Sequence, residues 1–135
     1  MVERRFPRSF ESLEAMYGFI REVLAHHGLD PESAYDLDLI AEELFTNMVK
    51  YGRGGKADIA MALGWNPPTF TMKLTDFDVD RFDPTSAPDV DTSVPLQDRH
   101  AGGLGIHLVR RMADDIQYRH ENRDSTITIT KRLGV

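Results

Sequence analysis

Glu43, Asn47 and Lys50 differ in chemistry but share one stretch of chain. Their spacing puts them on successive turns of one helix edge. A carboxylate, an amide and an ammonium in that order suit a phosphate ester held with a divalent cation. An amide oxygen ligates a hard cation without adding charge. A carboxylate orients or deprotonates an attacking hydroxyl. A lysine sits against phosphate as a point charge. The plainer reading is a solvated helix flank with an ordinary polar pair. Glu42 falls on the opposite flank by the same geometry.

A second stretch, His100-Ala101-Gly102-Gly103-Leu104-Gly105-Ile106, precedes a helical pattern. Glycines let backbone N–H groups approach a ligand and adopt positive φ. A helix start adds free N–H groups and a dipole that favours an anion. Together they form a candidate phosphate cradle, the alternative being a hinge. Arg110 and Arg111 read as solvated.

The elements that must position these residues follow from periodicity. Phe6 to Phe10 reads as a short leading strand. Ser9 or Ser12 can cap a helix, along which Leu13, Met16, Tyr17, Ile20, Val23 and Leu24 recur until Gly28. Asp30-Pro31-Glu32 opens a second helix. It carries a core stripe of Leu37, Ile40, Ala41, Leu44 and Met48 and ends at Gly52 to Gly55. Ala57 to Gly64 and Thr69 to Thr75 alternate as strands around Asn66-Pro67-Pro68. A long segment, Asp76 to Ala101, is rich in Asp, Pro and Ser, and a loop of that length is usually functional. A helix over Leu104 to Asp115 follows, then a hairpin, Ile116 to Glu121 and Ser125 to Arg132, around Asn122-Arg123-Asp124. Helices and hairpins are grouped, which predicts an α+β two-layer sandwich. Its sheet is mixed and mostly antiparallel, with helices on one face.

The bulk numbers narrow the class. The chain has 135 residues and fits one domain, 1–135. It has no cysteine, which rules out disulfides, zinc–thiolate sites and thiol nucleophiles. The five histidines show no metal-ligand spacing. A net charge of -6 argues against direct nucleic-acid binding. No apolar run approaches the ~20 residues of a membrane span, and no signal-peptide core stands at the start. The expected location is the cytoplasm.

Taken together, the motifs carry a resemblance. AEELFTNMVKYG resembles the N-box of the Bergerat-fold ATPases shared by histidine kinases, Hsp90-type chaperones and anti-sigma-factor serine kinases. HAGGLGIHLVRRMADDIQY is similar to their glycine box in its anti-sigma version. FDPTSAPDVDTSVPLQDR resembles the lid of that subgroup, and STITITKRL its ending. The resemblance implies the histidine-kinase-like ATPase fold, with ATP and Mg²⁺ as cofactors and a lid over about 76–101. It implies Glu43 as the catalytic or water-positioning carboxylate and Asn47 as the Mg²⁺ ligand. Lys50 and Tyr51 would lie beside the phosphates, and Gly103, Leu104 and Gly105 would wrap them with help from Gly102. Asp76 would receive the adenine amino group, and Ser125 or Thr126 would sit near the base.

One box departs. The family pattern Asp-x-Gly-x-x-Phe is here Asp76-Phe77-Asp78-Val79-Asp80-Arg81-Phe82. Either Asp76 or Asp78 can be aligned with the adenine contact; Asp76 is favoured because it directly follows the strand. An added carboxylate near a triphosphate is adverse unless a cation or Arg81 offsets it.

Two functions of different class follow. One is an anti-sigma serine/threonine kinase that phosphorylates a small anti-anti-sigma (STAS-type) partner and sequesters a sigma factor or analogous regulator. The other is a partner-switching binding module with weak or lost nucleotide turnover, which the altered box favours. The resemblance also carries homodimerisation through the sheet. A third, bland reading makes the motif residues structural.

Overall fold

The computed structural model describes residues 1–51, 55–80 and 108–134. The elements are β1 (Val2–Phe6), α1 (Ser12–His26), a 3-10 turn (Pro31–Ser33), α2 (Ala34–Tyr51), β2 (Ile59–Asn66), β3 (Thr69–Asp76), β4 (Asp115–Glu121) and β5 (Asp124–Arg132). Residues 108–112 are also helical. The strands form one sheet in the order β1-β2-β3-β5-β4. Every pairing among the described residues is antiparallel.

Local chemistry explains the boundaries. The leading strand lies earlier than its aromatic residues suggest, because Pro7 has no N–H for the ladder and ends it. The Pro7 carbonyl instead accepts from Ser9 N and Ser12 Oγ, which turns the chain into α1. At the other end of α1, Gly28 sits at φ 67. Leu29 N bonds back to the Leu24 carbonyl and Gly28 N to that of Ala25. This double closure is a Schellman stop, which needs a left-handed residue. Asp30 accepts from Glu32 N at 2.9 Å and Pro31 follows, so the start of the second helical segment is capped as its sequence predicts.

The core lies between the helices and one sheet face. Met16, Phe19, Ile20 and Leu24 of α1 meet Leu37, Ile40, Leu44 and Phe45 of α2. Below them stand Ile59, Met61, Leu63, Phe70, Met72, Leu74, Ile127 and Ile129. Each such side chain removed from water contributes about 1.5–3 kcal/mol. The opposite face of β3 and β5 carries Thr71, Lys73, Thr75, Thr126, Thr128 and Thr130 in direct register. Threonine suits a pleated surface through its branched carbon. Among the described residues no helix is long and apolar enough to cross a membrane.

Candidate functional site

The polar edge of α2 forms one wall of a cleft. Glu42, Glu43, Thr46, Asn47 and Lys50 line it with Phe10 and Leu13, around a volume of about 350 Å³. Two sequence expectations change here. Glu42 shares the cleft with Glu43 instead of facing away. Asn47 is not on a solvated flank: only 4% of it is exposed. Phe10 and Leu13, just before and at the start of α1, line the cleft with this edge, which no helical wheel of α2 alone can reveal.

The cleft is held in place by polar contacts. Thr46 Oγ1 donates to the Glu42 carbonyl at 2.7 Å. Tyr17 donates its hydroxyl to Glu42 Oε2 at 3.3 Å. Burial, then the Glu42 charge, pushes the Tyr17 hydroxyl up to about 12. It therefore stays a donor. Asn47 Nδ2 is buried and has no hydrogen-bond partner among the described residues. An unsatisfied buried amide costs about 1–3 kcal/mol. Such a group calls for a partner, which a ligand, an ion or an ordered water can supply.

Glu43 is partly buried, and burial raises its carboxyl above the usual value. Glu42 raises it further, while Lys50 pulls it down. The folded state thus prefers the protonated form more than the unfolded state does. Its contribution to stability is complete below the ordinary carboxylate range and is lost as pH rises through the raised value. Glu43→Gln should therefore be more stable than the parent near pH 7, by under about 1 kcal/mol given the solvent around it. The difference should vanish below about pH 4. Melting curves of both proteins across pH test this; a Gln variant that is less stable at neutral pH refutes it.

The second half of the site is the end of the sheet. Asp76 and Ser125 stand opposite each other in the β3–β5 register. Both are buried, at 1% and 6% exposure, and both share the face that carries the core. Ser125 Oγ lies 3.3 Å from the Tyr118 hydroxyl. Thr126, the alternative to Ser125, points to the other face, where its Oγ1 lies 3.4 Å from Thr75 Oγ1. The fold therefore separates Thr126 from the other candidates. Thr126 instead lines a larger trough of about 680 Å³ with Lys73, Gln117 and Arg119. That trough is a furrow between outward side chains on a flat strand face, and size alone does not make it a site.

Arg8 joins the two halves. Its Nη1 donates to the Met48 carbonyl of α2 at 2.8 Å, and its Nη2 pairs with Asp76 Oδ1. One guanidinium thus spans the gap between the residue after Asn47 and the end of β3. Sequence reasoning missed Arg8. It sits in a short linker with no periodicity, and its partners are distant in the chain.

Asp78, the residue in the glycine position, adopts φ 53. Left-handed backbone is what the glycine would supply, and Asp tolerates it better than most residues. Arg123 Nε donates to Asp78 Oδ1 at 2.7 Å and its Nη1 to Asp80 Oδ1 at 3.1 Å. The Asp78 side chain is 78% exposed. Of the two candidates, only Asp76 is buried against the core face.

Lys50 is exposed and Tyr51 half-buried at the end of α2. Gly102, Gly103, Leu104 and Gly105 lie outside the described residues, as does the lid from residue 81 onward. Among the described residues, no group of three or more His, Asp or Glu side chains is arranged to hold a metal ion alone.

Comparison with known proteins bears on the family and the fold. The model of the histidine kinase-like ATPase domain matches residues 6–131. The serine-protein kinase RsbW of Halalkalibacterium halodurans is 25% identical over 98% of this chain and 83% of its own length. A structure of the RsbU and RsbW domains of a Mycobacterium tuberculosis protein superposes with a TM-score of 0.69 at 16% identity. It covers 98% of this chain, which spans only 32% of that longer one. The SiaB–SiaC complex of Pseudomonas aeruginosa gives a TM-score of 0.56 at 15% identity, covering 97% of this chain and 89% of the other. The two structures support the fold alone. The fold, the polar edge of α2 and a family match spanning nearly the whole chain lead to one assignment: this chain belongs to the histidine kinase-like ATPase domain family.

Proposed function

We propose that this chain is an ATP-dependent serine/threonine kinase of the anti-sigma type. It acts on a small anti-anti-sigma partner and sequesters a sigma factor or analogous regulator. The observation that carries this reading is the buried amide nitrogen of Asn47, without a partner among the described residues, beside Glu43 in one cleft. The similarity to RsbW, a serine-protein kinase, supplies the reaction class.

The residues fit a Mg²⁺-nucleotide. Asn47 would hold the cation, since turning its amide presents oxygen in place of nitrogen. Lys50 and Tyr51 would stand by the phosphates, and Asp76 and Ser125 would receive the base. The bound Mg²⁺ would supply charge neutralisation at the transferred phosphoryl group. Glu43 would orient the partner's hydroxyl and accept its proton, a role its raised affinity for protons suits. The glycine turn at 102–105 would wrap the phosphates.

A second reading, a partner-switching module without turnover, is favoured by Asp78 in the glycine position and by the ion pair that occupies Asp76. Thermal melts with Mg·ATP separate the two. A ligand at 100-fold its Kd raises stability by about 2.7 kcal/mol. The kinase reading expects that rise, and expects labelled phosphate on a Ser or Thr of the partner. Asn47→Ala should abolish the rise yet cost the fold little, because the amide it removes makes no hydrogen bond through Nδ2 among the described residues. Unchanged nucleotide stabilisation in that variant would place the site elsewhere.

A further inference from the structure

The guanidinium of Arg8 stands where the base should be read. We propose that Arg8 is a built-in competitor for the base: it holds Asp76, and a purine nucleotide binds only after it leaves. This rests on the reading of Asp76 as the base contact.

Four observations carry it. Arg8 Nη2 pairs with the Asp76 carboxylate, whose side chain is 2% exposed, so the acceptor for an exocyclic amino group is already engaged. Arg8 Nη1 is anchored on the Met48 carbonyl, which draws the side chain across the gap between α2 and β3. The space is full: a methyl group at Gly55 would collide with the guanidinium and come within 2.8 Å of Val79 Cγ1. Yet the fit is incomplete, because Arg8 Nε is buried without a partner among the described residues. A side chain that leaves one donor unsatisfied is an easier occupant to evict than one fully bonded. Arg8 also belongs to the linker between β1 and α1, where only a short stretch of chain need readjust.

The consequence is a conformational tax. When only a fraction of molecules has the competent arrangement, apparent affinity falls by that fraction. Removing Arg8 abolishes the tax. Simple electrostatics predicts the opposite sign, since deleting a cation from a site for an anion weakens binding.

The test is calorimetric titration of Mg·ADP into the parent, Arg8→Ala and Arg8→Gln, with inorganic tripolyphosphate as a ligand lacking a base. The glutamine keeps a neutral donor for Asp76 and guards against loss of folding. Expected are an ADP affinity about tenfold or more tighter in Arg8→Ala, from an open state of ~10% or less, and a smaller gain in Arg8→Gln. Tripolyphosphate should show no such gain. Equal or weaker ADP binding in folded variants, with binding by the parent intact, overturns the competitor alone. No ADP binding by the parent or either variant overturns the placement of the base at Asp76, and this proposal with it.

Discussion

Glutamine in place of Glu43 is expected to lower phosphoryl transfer to the partner about 10²–10⁴-fold, the usual contribution of a positioned general base. Mg·ATP binding should change little. Glu43 is one turn away from Asn47, and its replacement keeps the volume and one hydrogen-bonding oxygen. The same substitution that stabilises the fold at neutral pH would thus remove activity, as expected where a site stores unfavourable electrostatics for function. The burial and the Glu42 charge that raise the Glu43 carboxyl are the stored term. Single-turnover transfer with the cognate partner gives the rate, and titration with Mg·ATP gives the binding. A variant that transfers phosphate at the parental rate removes Glu43 from the chemistry.

Asp76→Ala is the second large effect. It leaves the Arg8 guanidinium, with its side chain 14% exposed, facing no anion. Breaking a buried ion pair from one side costs about 3–5 kcal/mol, because the remaining charge is desolvated without compensation. Nucleotide stabilisation should vanish at the same time. Adding Arg8→Ala to Asp76→Ala should recover much of the loss, since both charges are then gone. Urea denaturation of the two single variants and the double closes the cycle. If the double variant is as unstable as the sum of the singles, the two groups do not act as a pair.

The architecture was legible because its signals are local. The stripe of Leu37, Ile40, Ala41, Leu44 and Met48 places α2 against the core, and those residues are buried. Strand alternation in β3 puts Phe70, Met72 and Leu74 inward, and Asp76 follows in the same phase. The Asn122-Arg123 turn was visible as a break between two alternating runs. Both residues have positive φ, the geometry that a tight two-residue hairpin demands. What escaped the sequence depends on distance. Phe10 and Leu13, which line the cleft with Asn47, come from another segment. The partners of Arg8, Met48 and Asp76, lie 40 and 68 positions away. The choice between Ser125 and Thr126, by contrast, was legible: Ser125 is in phase with the buried Ile127 and Ile129, and its pairing with Asp76 agrees.

The hairpin turn has a consequence for how this chain can change. Arg123 reaches Asp78 and Asp80, and its carbonyl accepts from Val79 N at 2.8 Å. A side chain at position 78 is thereby tolerated in a conformation that glycine would adopt unaided. Positions 78 and 123 are therefore coupled in what they tolerate. Glycine at 78 would adopt this backbone without help and leave the Arg123 side chain replaceable, whereas replacing Arg123 alone would leave an aspartate at φ 53 without those contacts.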